Sequence, residues 1–258
     1  MGKELTTTAP TGTLTEFEQL IAGEAAVDGR AYTYQPPRYR VVSQARQFQN
    51  VNDDTDLLPT MEGIILISRI TRAYWPAGNG NGDGQGGPPV CSSTGGVNGA
   101  WRVEDGGTRT IACGTCPYNA WGSEVKATTG AHGRGKACKE MRRFAVLLDG
   151  YAAPILLTIP PTSCKPFDQY ASALANRKLA YFAVRTRIAL EKAANADGIA
   201  YAVASFQNLG ALRQDELAWV VGLRRAAEEY IGAAPEYEEY MPADSAGVPK
   251  DPLDPDQW

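Results

Sequence analysis

Eleven of the thirty residues from 78 to 107 are glycine. Glycine loses more backbone freedom on ordering than any other residue, so such a stretch builds neither a helix nor a central strand. It divides the chain into an upstream and a downstream part. Upstream, MEGIILISRITRAYW (61–75) is rich in isoleucine, ends in an aromatic pair and reads as a strand, with a shorter strand at YRVVS (39–43). Downstream, beyond a cysteine-bearing region that runs to about residue 140, MRRFAVLLD (141–149) and PILLTI (154–159) read as strands on either side of a turn at GYAA. PPTSCKPFDQYASALANRKLA (160–180) reads as a helix, with Pro166 in its first turn and Phe167, Tyr170, Ala171 and Leu174 at helical spacing. YFAVRTRIALE (181–191) alternates, placing Phe182, Val184, Thr186, Ile188 and Leu190 on one face and Arg185, Arg187 and Glu191 on the other. IAYAVASFQ is a further strand, and RQDELAWVVGLRRAAEEYI (213–231) an amphipathic helix with Leu217, Val220, Val221 and Tyr230 inward. The expected fold is α+β and mainly antiparallel β: five or six strands curled into a small barrel, two flanking helices and one irregular insertion.

The cysteines lie at 91, 113, 116, 138 and 164. The first four bracket the insertion as C-x21-C-x2-C-x21-C. A CxxC turn presents two sulfurs to one ion, and a distant cysteine on each side completes a tetrahedral set, so Cys91, Cys113, Cys116 and Cys138 read as ligands of a structural zinc. A glycine-rich lobe buries too little apolar surface to order itself, and a bound zinc contributes on the order of 10 kcal/mol. His132 is an alternative to Cys138. A thioredoxin-like pair needs a helix straight after its CxxC, and PYNAWGS does not supply one. Disulfides and unconnected thiols are the other readings. Cys164 reads as a small buried hydrophobe.

Catalysis finds little support. The chain has one histidine and no GxSxG, and neither His132 nor the CxxC is closely followed by Glu as a deaminase-type metal site would require. GNGNGDGQGG lacks the helix that a phosphate loop requires. There is no apolar run of eighteen residues and no apolar segment at the N-terminus, so neither a membrane span nor an export signal is expected, and the expected home is the cytoplasm.

Charge is unevenly distributed. Net charge is −4, but residues 233–258 carry seven acids against Lys250. That segment is −6, which leaves +2 on residues 1–232. The basic run GRGKACKEMRRF (133–144) lies near aromatics, as do the other cations at Arg72, Arg185 and Arg187. Cations that follow phosphates, interleaved with rings that stack on unpaired bases, suit a single strand of nucleic acid. The expected contacts are Arg72, Tyr74, Trp75, Trp121, Lys136, Arg142, Arg143, Arg185 and Arg187. The end of the chain, EYEEYMPADSAGVPKDPLDPDQW, reads as a disordered acidic tail closing on a large hydrophobe, with Asp254, Asp256 and Trp258 as its partner-binding end.

That tail resembles those of bacterial and phage single-stranded-DNA-binding proteins. The paired cysteines with WGS, GKACKEMRRFAVLL, PILLTIPPTS, and VRTRIAL followed by GIAYAVASF, all within residues 110–210, resemble phage proteins of that type. The resemblance implies an OB-fold, a five-stranded barrel, with a zinc-binding insertion. It further implies sequence-independent binding of single-stranded DNA in replication or recombination, and recruitment of replication or recombination proteins by the tail, in the host cytoplasm. The glycine-rich loop 78–87 departs from that pattern. The expected organisation is an arm (1–30), a binding domain (31–232) with its insertion at 76–140, and the tail (233–258). Two other readings stand beside it: a zinc-stabilised protein–protein interaction or virion protein, and a metal-dependent nucleic-acid enzyme.

Overall fold

A computed structural model of the chain describes residues 35–75, 89–103, 106–125, 129–194 and 200–232, together with Gln19 and Glu239. The loop 78–87, the arm apart from Gln19, and the tail apart from Glu239, with Asp254, Asp256 and Trp258, lie outside these residues.

The longest strand organises the rest. β4 (Thr60–Tyr74) carries the uninterrupted apolar run Ile64–Ile67, which no half-exposed strand could hold and which is buried on both faces. It pairs antiparallel with β8 (Lys139–Leu148) from Gly63 to Ala73. Its other edge is shared. Its first residues pair with β10 (Val184–Ala194) and its last three with β5 (Cys91–Ser93). Beyond β8 come β9 (Ile155–Ile159), β1 (Arg38–Val42), β2 (Gln47–Asn50) and β3 (Asp53–Leu58). Beyond β5 come β6 (Asn98–Arg102) and β7 (Thr108–Ala112), and β10 pairs with β11 (Ala200–Ala211). Only β1 and β9 run parallel among the described pairs.

A helix lies against each face of the sheet. On one side Tyr39, Phe48, Met61, Ile65, Phe144, Val146, Leu157 and Ile188 form a continuous core with Phe167 of α1 (Pro161–Ala175). On the other, Ile64, Leu66, Ile67, Ala145 and Leu147 meet Val220, Leu223, Ala227 and Ile231 of α2 (Gln214–Ile231). A bulge between Ile65 and Ile67 shifts the alternation of β4 and lets Leu66 and Ile67 both serve the α2 side. Burying each large aliphatic side chain contributes roughly 1.5–3 kcal/mol. The start of α2 is fixed by Glu216, whose carboxylate accepts the Arg213 backbone N–H at 2.8 Å.

The expectation of α+β, mainly antiparallel architecture with two helices holds. The five-stranded barrel does not: the sheet is open and has eleven strands among the described residues. Two contacts keep it open. β1 takes the free edge of β9, and α1 seals β11, where the Ser163 hydroxyl accepts the Ala204 N–H at 2.9 Å. Three local expectations also change. The glycine-rich region does form strands, β5 and β6. Pro166 lies inside α1, whose first residue is Pro161. Val221 faces solvent at 41% exposure while Leu223 takes the inward place. Among the described residues no helix is long and apolar enough to cross a membrane.

Candidate functional site

The last residues of β4 hand the sheet to a small lobe. β5, β6 and β7 form a meander, the chain turns at Cys113–Cys116, makes a single 3-10 turn at Pro117–Asn119, and returns to β8 through Cys138. The four cysteines of the 21–2–21 pattern, far apart in sequence, line one cavity together with Arg72, Tyr74, Trp101, Tyr118 and Asn119. Cys91, Cys113 and Cys138 are buried, Cys116 is half-buried, and all are free thiols. Gly99 of β6 explains part of the closeness. A Cβ there would stand 2.8 Å from the Cys91 sulfur and 3.6 Å from that of Cys113, so only glycine lets the strand pass beneath them. Backbone bonds fix the turn: Cys113 N–H to Val97 O at 2.8 Å, Asn119 N–H to Cys116 O at 3.0 Å, and Cys138 N–H to Tyr118 O at 2.8 Å.

Burial, then the neighbouring cysteines, pushes the Cys91 thiol up to about 11 and the Cys138 thiol up to about 12. Thiols that resist ionising beside one another are a donor set whose charge a soft divalent cation would offset. Donor type and shared lining are what a zinc site would draw on here. Among the described residues, however, no group of three or more His, Cys, Asp or Glu side chains is placed so that it could hold a metal ion as it stands. His132 does not line the cavity; it is exposed, and its Nδ1 lies 3.1 Å from Gly122 O. Cys164 sits apart on α1, half-buried, its thiol pushed up to about 11 by burial.

The aromatics separate into three environments. Tyr74, Tyr118 and Trp101 stack on one another, with Tyr74 and Tyr118 centroids 4.1 Å apart, and line the cysteine cavity. Trp75, expected as a nucleic-acid contact, is 9% exposed and packs with Ala73 and Met141. Trp121 is 79% exposed, with Lys136 Nζ 5.2 Å from its ring centroid.

The expected cations do not share one face. Arg72 bonds Glu140 and, at 2.7 Å, Gly96 O. Arg142 points to the α1 side, where it meets Asp168 at 2.6 Å and the ring of Phe167. Arg143, the next residue on β8, points the other way and is buried, 1% exposed in its side chain. Arg185 pairs with Asp149, and Arg187 with Glu62, all four about two-fifths exposed. Such surface pairs are worth about 0–1 kcal/mol and open readily to a competing anion.

The surroundings of Arg143 are new. Arg69, Arg143, Thr158 and Arg40 stand in register across β4, β8, β9 and β1. Glu239, within the segment expected to be disordered, is buried against this row. Its Oε2 accepts from Arg143 at 2.6 and 3.1 Å and from Thr158 at 2.9 Å, and Oε1 lies 3.8 Å from Arg38. Arg143 as described is therefore closed to a strand of nucleic acid. The alternation of RYR in β1 hints at the row, but no local pattern marks Glu239 out from the other tail acids.

Compared with known proteins, the chain matches no family model, no curated protein and no solved structure.

Proposed function

We propose that this chain is a non-enzymatic, sequence-independent single-stranded-DNA-binding protein of phage-type replication or recombination, its lobe pinned by one structural zinc on Cys91, Cys113, Cys116 and Cys138. One observation carries the reading: four cysteines spread from 91 to 138 converge on a single cavity, and the turn leaving it presents Trp121, the most exposed tryptophan described, beside a lysine. A bound zinc would supply a closed four-sulfur crosslink, with no open position for chemistry. The lobe would then hold Trp121 and Lys136 as a ring for an unpaired base and a cation for its phosphate.

The connectivity supports an OB-like ancestry in an opened form. β4, β8, β9, α1, β10 and β11 follow in chain order as three strands, a helix and two strands. In OB barrels the loop between the first two strands is one of the ligand-contacting loops, and here that position holds the cysteine lobe. The Glu239 carboxylate among Arg143, Thr158 and Arg38 stands where a phosphate could stand, in keeping with a tail that competes for the basic face. Its end, at Asp254, Asp256 and Trp258, would recruit replication or recombination proteins. The edge of β7, unpaired among the described residues, and the exposed Val97 favour the second reading, a zinc-stabilised protein-interaction or virion module.

Titration of the purified chain with oligothymidylate, followed by tryptophan fluorescence, separates the two. The first reading expects quenching, weaker competition by duplex, and affinity that falls as salt rises, because phosphate neutralisation releases counterions. No response to oligothymidylate at low salt would rule it out.

A further inference from the structure

Lys136 makes two contacts at once. Its Nζ lies 5.2 Å from the Trp121 ring centroid, and it donates a hydrogen bond to Asn119 Oδ1 at 3.2 Å. Asn119 is itself held: its Nδ2 donates to Cys113 O at 2.9 Å, and its backbone N–H donates to Cys116 O at 3.0 Å. A second set of bonds sews the same two segments together. The Ser123 hydroxyl donates to Tyr118 O at 2.9 Å and accepts the Ala137 N–H at 2.9 Å, and Cys138 N–H reaches Tyr118 O. Lys136 is thus placed by the cysteine turn on one side and occupies one approach to an otherwise exposed indole on the other.

We propose that Lys136 is a positioning residue: through Asn119 it ties Trp121 to the Cys113–Cys116 turn, so that one face of the indole is held against a cation and the other is presented for stacking. This rests on the single-strand reading and deepens it by naming what orients the stacking ring. A cation over an indole draws on the ring quadrupole, and an exposed tryptophan without that partner samples several rotamers. The lysine would therefore act on base stacking through Trp121 rather than only as an independent phosphate contact.

The test uses the full chain and the variants K136M, K136R, N119A, W121F and W121A, with two readouts. The first needs no nucleic acid. Collisional quenching by iodide, taken as the difference between the parent and W121F, reports on the anion-attracting environment of Trp121. It is expected to drop in K136M, to fall partway in N119A, and to be restored in K136R. The second is affinity for oligothymidylate. W121A is expected to lose about 5- to 150-fold, the equivalent of one stacked base. K136M is expected to weaken binding in the parent but to add less than about twofold in the W121A background. Unchanged iodide quenching in K136M, or fully additive losses in the double variant, would overturn the positioning role. If the iodide signature follows Lys136 while the parent ignores oligothymidylate, the Lys136–Trp121 coupling stands and the single-strand reading falls.

Discussion

Replacing Glu239 by glutamine keeps the shape of the side chain and removes its charge. In the folded chain Glu239 and Arg143 each have 1% of their side chains exposed, and the carboxylate accepts two bonds from the guanidinium and one from Thr158. Breaking a buried pair by neutralising one member costs about 3–5 kcal/mol, because the buried charge that remains loses that counter-charge. The amide oxygen of glutamine still accepts a hydrogen bond, and Arg38 keeps its distance, so the low end applies: about 3 kcal/mol. At about 2–4 °C per kcal/mol for a domain of this size, the midpoint should fall by about 6–12 °C. Glu228→Gln provides the internal control. Its pair with Arg69 is more than two-fifths exposed on both sides, and it should cost no more than about 1 kcal/mol. Thermal and urea denaturation of both variants against the parent measure the difference. An E239Q protein within about 0.5 kcal/mol of the parent would refute the reasoning, since Glu239 would then not be seated against Arg143. The same logic bears on the tail. Truncation after residue 232 removes Glu239 and should destabilise the fold, whereas truncation after residue 240 keeps it, so a competing role for the distal acids is properly measured on the longer form.

Three further outcomes follow from the geometry. Ser163→Ala removes the acceptor of the buried Ala204 N–H at the β11 edge and should cost about 1–3 kcal/mol in chemical denaturation, with Thr162→Ala on the exposed side of α1 as the neutral comparison. Trp75→Ala should cost about 3–5 kcal/mol of stability, while Trp121→Ala should leave the denaturation midpoint unchanged and weaken oligothymidylate binding instead. In chelated protein the Cys91 and Cys138 thiols stand at about 11 and about 12, above an ordinary thiol, so the folded state keeps protons that the unfolded chain releases. Its stability should be fully present below the ordinary thiol range and be lost as pH rises toward 11–12, a decline that protein saturated with zinc should show far less steeply.

The parts of this fold visible in the sequence are those where one local signal decides. The Ile64–Ile67 run could only be a buried strand, and the alternation through Arg185 and Arg187 could only be a half-buried one. The 21–2–21 cysteine spacing was enough to nominate four side chains that share a cavity. What escaped depends on partners distant in the chain. β2 and β3 carry no local signal of their own, since DDTDLL has almost no apolar pattern; cross-strand bonds hold them, from Tyr39 and Asn50 to Asp56 and from Arg40 to Gln49. The barrel stays open because β1, remote in sequence, claims the edge of β9. Arg142 and Arg143 are adjacent and chemically identical, yet one meets Asp168 on the α1 side and the other is buried with Glu239. Trp75 and Trp121 differ in the same way. Trp75, just past the end of β4, packs with Ala73 and Met141, while Trp121 sits in a turn where, among the described residues, it stays 79% exposed.

The most direct test is native mass spectrometry of the full chain purified without added chelator. One zinc per parent chain is expected, with the ion lost in each of Cys91→Ser, Cys113→Ser, Cys116→Ser and Cys138→Ser, and retained in Cys164→Ser and His132→Ala. A parent chain that carries no zinc even after incubation with the metal, or an ion that survives loss of any of the four cavity cysteines, would contradict the idea of a lobe pinned by those sulfurs.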